Sequence, residues 1–375
     1  MDTTKNKVKV LLCSPLTGTT GGIRTWTENI SKYYLRITSS SNVSLTIADT
    51  GRSISVYANS NKLKRLFSGI WEYCKVISKI SCCFAKSKYD VIHITSSASY
   101  SLVANILVLK IAKLAKTKSV VHFRFGRIPE VFKIGGWEKK LLIRVIKKAN
   151  KVIVLDRRSL ETLHEAGFEN VAILPNPISE KVEQIARNEY NVKRLHEVLF
   201  VGHVVATKGI YELAQACASI EGVVLNIVGP IKPAVTDRLQ AIYMECNRSL
   251  EDLKIWGELA LDQALEKMQQ MTIFCLPSYT EGFPNVILES MACGCGIIAT
   301  NVGAISEMLY FNGMERCGII IPAKDIVALR NAIRHLYEDL EATKALGEKA
   351  KQKVLGCYSM PVVWEQMSSL WKELA

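Results

Sequence analysis

No apolar run in the sequence approaches the roughly 18 residues that a membrane-crossing helix requires. There is no Asp-x-Asp, the pair that commonly holds a nucleotide diphosphate through a metal. No repeat of about 20 to 50 residues is present, which argues against a solenoid or propeller. The 11 cysteines are odd in number, scattered, and without zinc-ligand spacing, so neither a disulfide framework nor a metal centre is expected. Cys293-Gly294-Cys295 reads as small thiols packed at a helix end. Lys5, Lys7 and Lys9 precede only Val10-Leu11-Leu12, too short for a secretory h-region and better read as a first buried strand. Together these features point to a reducing cytoplasm.

What the chain does have is length and apolar content. Its 375 residues, 49% hydrophobic, suffice for two domains with their own cores. Short β-branched runs at 8–12, 43–47, 91–94, 119–122, 151–155 and 171–174 alternate with helix-like segments such as 137–149. Such alternation predicts a parallel sheet with helices on both faces. Leu174-Pro175-Asn176-Pro177 ends the series, and a polar stretch, 179–196, follows. The pattern then restarts at 198–201, 223–228, 253–255, 272–276, 296–299 and 318–321, with helices near 326–340 and 362–374. The expectation is an α/β protein of two doubly wound, Rossmann-like domains, 1–180 and 190–358, facing a central cleft. A last helix, 360–375, would pack back on the first domain.

Net charge is +13 and uneven. Residues 1–190 hold 31 Lys and Arg against 14 Asp and Glu, whereas the remainder holds 17 against 21. An anionic surface would therefore meet the first half only. No recognition motif accompanies the charge, so a nucleic-acid partner is not expected.

Three stretches carry candidate chemistry. In "EGFPNVILE", Glu281 precedes a turn and Glu289 lies inside the following helix. Pro284 suits the first helical position, and that helix would aim free N–H groups at a ligand phosphate. A carboxylate accepting two hydrogen bonds suits a vicinal diol such as a ribose; equally, Glu281 would merely favour the helix dipole and Glu289 would be a solvated helix residue. "FVGHVVATKG" is a strand-to-helix turn in which Gly202 permits a sharp bend. Lys208 either meets a diphosphate there or is a plain surface lysine. "LTGTTGGIRTW" has Gly21 and Gly22 ahead of a helix, either for close ligand approach or as an ordinary turn. It lacks Gly-x-Gly-x-x-Gly. His122 and His93 both end predicted strands; His93 reads more readily as a core histidine, and His164 and His335 as surface residues.

Taken together, these stretches resemble the retaining, nucleotide-sugar-dependent glycosyltransferases of family four, which have the GT-B fold. "EGFPNVILE" matches that family's E-x7-E motif, and "SMACGCGIIATNVGAISEML" and "GIIIPAKDIVALRNAI" extend the likeness. The first half resembles the family mainly in layout. The resemblance implies that Glu289 holds ribose hydroxyls, Glu281 lies beside the donor sugar, and Lys208 neutralises the departing diphosphate. It implies that the backbone of Gly282, Phe283, Pro284 and Asn285 contacts sugar and phosphate. Gly21 and Gly22 would lie against the phosphates, His122 would contact the sugar, and Gly257, within Trp256–Leu259, would border the base. His203 stands where the family has an arginine, supplying one donor and no charge; Arg24 or Arg124 would be the substitute.

The resemblance further implies a UDP- or GDP-sugar as donor substrate, no cofactor, no metal, and a first domain on the acceptor side. Two alternatives share the architecture: a sugar-nucleotide epimerase and a non-catalytic nucleotide-sugar-binding subunit. The basic amphipathic stretches 62–88 and 138–151 add a last expectation. They fit a cytoplasmic enzyme docked peripherally on an anionic membrane surface, on a lipid-linked saccharide acceptor, as in envelope polysaccharide assembly. In 62–88 the face containing Leu63, Phe67, Ile70, Trp71 and Cys74 is the apolar one.

Overall fold

Strands covered on both faces must be apolar along most of their length, and the β-branched runs of this sequence obey that rule. A computed structural model describes residues 7–18, 21–51, 62–188, 195–311 and 315–375, with backbone alone for 62–70 and Phe311. The chain divides into two units, 1–177 with 360–375, and 178–359.

The first unit runs β1 (Val8–Ser14), α1 (Gly22–Ile37), β2 (Val43–Asp49), α2 (Lys62–Lys86), β3 (Val91–Ser96), α3 (Ser101–Leu114), β4 (Lys118–Phe123), α4 (Ile128–Ile134), α5 (Gly136–Lys148), β5 (Lys151–Val154), α6 (Arg157–Glu165) and β6 (Val171–Ile173). The second runs α7 (Glu180–Arg187), β7 (Leu195–Val201), α8 (Ile210–Ala218), β8 (Leu225–Val228), α9 (Pro233–Glu245), β9 (Leu253–Gly257), α10 (Leu261–Gln270), β10 (Met271–Leu276), α11 (Asn285–Ala292), β11 (Gly296–Thr300), α12 (Ile305–Leu309), β12 (Tyr310–Phe311), β13 (Glu315–Arg316), β14 (Ile319–Ile321), α13 (Ile326–Glu338) and α14 (Leu340–Tyr358). α15 (Met360–Leu374) returns to the first unit.

Each unit holds a six-stranded parallel sheet, ordered β2-β1-β3-β4-β5-β6 in the first and β14-β11-β10-β7-β8-β9 in the second. In the first unit, Ile80, Val108, Leu142 and Leu163 of α2, α3, α5 and α6 share one buried cluster. Trp26 and Ile30 of α1 share a second cluster with Val363, Trp364, Met367 and Trp371 of α15. The two clusters take alternate residues of β1, Leu11 and Cys13 in one, Val10 and Leu12 in the other, so they lie on opposite faces of the sheet.

One local reading is corrected and one is refined. The polar stretch 179–196 contains α7, capped by Ser179, whose Val182, Ile185 and Ala186 pack into the second unit's core; only its residues 189–194 lie outside the described residues. In α2, the described part of the expected apolar face, Trp71 and Cys74, is turned outward. Trp71 is 64% exposed and Cys74 exposed, while Ile80 is buried and Val76, Cys83 and Phe84 pack against its cluster. The side chains of Lys62, Leu63, Lys64, Arg65, Phe67 and Ile70 lie outside the described residues.

Candidate functional site

Open parallel sheets bind ligands beyond the carboxyl ends of their strands, where the strand order reverses. In the second unit that point falls between β7 and β10. The loops leaving these two strands carry Lys208 and Glu281. After β7 the chain passes Gly202 and the exposed His203, makes one 3-10 turn, Ala206–Lys208, and enters α8 through Gly209. Gly209 has φ +70°, and a Cβ there would stand 2.1 Å from the Pro277 carbonyl oxygen. Only glycine allows the two loops to run this close. The Tyr279 N–H donates to the Thr207 carbonyl across the same junction, at 2.9 Å.

The contact brings the charges together. Lys208 Nζ donates to Glu281 Oε1 at 2.6 Å, and Ser278 Oγ donates to the same oxygen at 2.6 Å. The Glu281 loop is held from the other side by Gly303, at φ +55°, where a Cβ would stand 2.5 Å from the Glu281 carbonyl oxygen. The Ala304 N–H also donates to the Gly282 carbonyl, at 2.9 Å.

α11 begins at Asn285, so Pro284 is its N-cap and not its first helical residue, with an extended ψ of 107°. No side chain caps this helix and its first turn has no acidic residue. Pro284 itself offers no capping side chain, and the positive end of the helix dipole follows directly on Gly282-Phe283-Pro284. Phe283 turns to the core, edge-on to Tyr358 at 6.1 Å between ring centres.

Glu289, in the second turn of α11, is partly buried, and its carboxylate has no hydrogen-bond or ion-pair partner among the described residues. Burial pushes its carboxyl up to about 7. At the end of β9, Gly257 has φ +71° and open space where a Cβ would stand. Beside it, the Trp256 indole donates to Asn226 Oδ1 at 3.0 Å, and Lys267 Nζ lies 3.3 Å from its ring centre.

In the first unit the strand order reverses between β1 and β3. A cavity of about 450 Å³ lies there, lined by Pro15, Gly21, Gly22 and Thr95 among others. Among the described residues, a Cβ on Gly21 or Gly22 would meet nothing within 4 Å, so none of them requires glycine at either position. The β1 loop is fastened by Asp49, which accepts from the N–H groups of Leu16 and Gly51 and from the Thr17 hydroxyl. Burial alone would raise the Asp49 carboxyl; these hydrogen bonds hold it below its usual value. Arg24 is engaged locally, with Glu28 at 2.7 Å and the Gly18 carbonyl at 2.7 Å.

His122, on β4, is fully buried and belongs to a chain of rings. Trp371 Nε1 donates to His93 Nδ1 at 3.0 Å, and His93 Nε2 lies 3.3 Å from His122 Nδ1. His122 Nε2 lies 3.3 Å from Arg124 Nη1. The Arg124 guanidinium sits 4.7 Å from the centre of the Trp26 ring. Burial, and then the Arg124 charge, push His93 down to about 3 and His122 well below its ordinary value, so both rings are neutral. Burial lowers Arg124 itself to about 9.

Residues 196–339 match the family model described as glycosyl transferases group 1. That part of the chain is thus similar to the group 1 glycosyltransferases. The capsular polysaccharide biosynthesis glycosyltransferase CapM of Staphylococcus aureus is 25% identical over 238 residues, which cover 62% of this chain and 58% of CapM. The chain thus matches less than two thirds of that relative's length. Among solved structures, sucrose-phosphate synthase from Thermosynechococcus elongatus aligns with a TM-score of 0.72 at 19% identity, covering 98% of this chain and 99% of that one. Anabaena HepE in complex with UDP aligns at 0.68 and 17% identity, covering 98% and 100%. At these identities the likeness shows the fold, and that fold is GT-B. The group 1 match spans both Lys208 and the Glu281–Glu289 motif.

Of the residues singled out from sequence, the structure joins Lys208 directly to Glu281. His203, Gly257 and Glu289 belong to the same unit, whereas Gly21, Gly22 and His122 belong to the other. Ser278, which shares the Glu281 oxygen with Lys208, was not foreseen, although it lies three residues before it. Asp49 and the Trp371–His93 link were not foreseen either. The first ends a strand run, but nothing local marks the second.

Proposed function

We propose that the protein transfers a sugar from a UDP- or GDP-sugar to an acceptor hydroxyl, with retention at the anomeric carbon and without a metal. The observation that carries this reading is the meeting of Lys208 and Glu281 at the β7/β10 switch point, directly before the uncapped α11. Lys208 has two N–H donors left beyond the one given to Glu281. A diphosphate, with more charge than one carboxylate, competes well for them. The α11 N–H groups add fixed positive potential, so leaving-group charge is met by groups already oriented. Glu289, once ionised, offers two acceptor oxygens to a ribose diol. Glu281 would face the sugar; in the first unit, the family resemblance assigns His122 a sugar contact and Gly21 and Gly22 phosphate contacts. Gly257 would border the base, and the exposed His203 would contribute one donor. The UDP complex of HepE supports a nucleotide as ligand, and the name of CapM supports a role in polysaccharide assembly.

A panel of UDP- and GDP-sugars, tested for equilibrium binding and nucleotide release, decides the matter. One or more should bind and turn over with a suitable acceptor, and a chelator should leave the rate unchanged. No binding of any nucleotide sugar at millimolar concentration would sink the proposal.

We further propose a lipid-linked acceptor reached from an anionic membrane surface. The exposed side of α3 supports this. Tyr100, Val103, Leu107 and Leu114 fall on one helical stripe and are 72%, 46%, 41% and 85% exposed. Tyr100 stacks on the exposed Trp137 of α5 at 5.4 Å. Lys110, Lys113 and Lys116 are exposed beside the stripe, with Lys147 and Lys148 lining the same depression as Lys110. Apolar side chains ringed by lysines suit a headgroup boundary, with about 1 kcal/mol per basic residue on an anionic leaflet. In sedimentation with anionic vesicles, binding should weaken with salt. It should fall at least tenfold when Lys110, Lys113, Lys147 and Lys148 become Gln. Equal binding to neutral vesicles, or none to either, would favour a soluble acceptor.

A further inference from the structure

The hydrogen-bond chain through His93 and His122 has a parity problem. Its two ends, the Trp371 indole N–H and the Arg124 guanidinium, can only donate. Between them lie two neutral imidazoles, with four ring nitrogens and two protons. The chain has three contacts: Trp371 to His93, His93 to His122, and His122 to Arg124. No arrangement of two protons satisfies all three. If His93 accepts from Trp371 on Nδ1, its proton is on Nε2 and is given to His122 Nδ1. His122 then carries its own proton on Nε2, facing the Arg124 N–H. Reversing both rings repairs the Arg124 contact and breaks the Trp371 one. Turning both ring protons inward satisfies the two ends but sets N–H against N–H between two fully buried rings, leaving two donors without acceptors instead of one.

The structure indicates which contact yields. Trp371 is fully buried, and its N–H has no route to water, so losing its acceptor would cost the full desolvation of a buried donor. Its contact is also the shortest of the three, 3.0 Å against 3.3 and 3.3 Å. Arg124 is only partly buried. Its Nε is buried without a partner, and no carboxylate pairs with it among the described residues. Its head is held chiefly by the Trp26 ring, a contact that tolerates sliding.

We propose that Trp371 is a positioning residue for His122: acting through His93, it fixes His122 as the tautomer with its proton on Nε2, so that His122 and Arg124 present two donors to one acceptor oxygen of the ligand. That the ligand is a nucleotide sugar rests on the function proposed above; the tautomer does not. An oxygen entering between His122 Nε2 and Arg124 Nη1 resolves the one contact that the chain cannot satisfy alone. α15 thereby sets the hydrogen-bonding sense of a residue on β4 that it reaches only through β3.

Histidine tautomers are read directly by long-range nitrogen–proton NMR on the ¹⁵N-histidine-labelled full chain, with no substrate present. In the wild type, His93 and His122 should both carry the proton on Nε2. In Trp371→Phe, which keeps an aromatic ring but removes the donor, Arg124 becomes the only fixed donor, and the proton of His122 should move to Nδ1. A role in packing alone would leave the tautomer unchanged. Nδ1–H on His122 in the wild type overturns the proposal, even where the variant fails to fold. An unchanged Nε2–H in a folded Trp371→Phe overturns it as well. Because no nucleotide sugar is needed, failure of the glycosyltransferase reading would show separately, in the donor panel.

Discussion

Lys208→Ala is expected to lower turnover by about 10²–10³-fold, the usual loss when one preorganised electrostatic group is removed from a developing charge. Part of any loss would have a duller cause. Glu281 is only 10% exposed, and without Lys208 its carboxylate keeps Ser278 but no cation. Leaving a partly buried charge without its cation should cost roughly 1–3 kcal/mol of stability. The double variant Lys208→Met with Glu281→Gln separates the two effects, because it removes both charges and keeps the bulk. Stability, followed by thermal melting, should largely return. If Lys208 serves the leaving group, turnover should stay down by at least 10²-fold. Recovery of turnover together with stability would mean that the pair is structural and that the chemistry lies elsewhere.

Glu289→Gln should act in opposite directions on binding and on stability. As an acceptor for a ribose diol the carboxylate must be ionised, and hydrogen bonds to a charged group are worth about 1.5–3 kcal/mol. The variant should therefore weaken nucleotide binding about ten- to a hundredfold at alkaline pH. Wild-type affinity should climb as pH rises through about 7, where burial places this carboxyl, and the variant should show no such climb. Stability runs the other way. A carboxyl whose folded value lies above its ordinary 4.5 holds its proton more tightly in the folded state. The folded chain thus loses stability between pH 4.5 and about 7 and stays lower above that. Glu289→Gln should melt like the wild type in acid and higher than it at alkaline pH, by about 1–3 kcal/mol after allowance for partial exposure. Isothermal titration and melting curves across this range test both halves. Equal affinity of variant and wild type at alkaline pH would remove Glu289 from the nucleotide site.

The strands were legible because parallel strands buried on both faces leave unbroken apolar runs. Val10, Leu11 and Leu12 are wholly buried, as are Ile297, Ile298 and Ala299. α7 was hidden because it buries only Val182, Ile185 and Ala186, too few to lift a polar stretch into a periodic signal. In α2, apolar residues go most of the way round the helix, so the sequence does not mark which of them are buried; Trp71 and Cys74 stay outside. At the site, the motif spacing located Glu281 and Lys208, 73 residues apart in sequence. Their ion pair follows from strand order, since β7 and β10 are neighbours and each carries its loop at the same end. Contacts such as Trp371 to His93, 278 residues apart, have no local signature at all.

The return of α15 makes the second unit an insertion within the first, with both junctions, 177/178 and 359/360, leading out of and back into the same fold. On the ribosome this imposes an order. Val10, Leu12, Val91, Val120 and Ile153 need Trp364 and Trp371 to cover them, and those residues emerge only after all of 178–359. At about 5–20 residues per second, one face of the first sheet waits some ten to forty seconds for its cover, while the second unit already has every strand it needs. The later half of the chain is thus set to finish first, and the earlier half is the one exposed to aggregation or chaperone capture during synthesis.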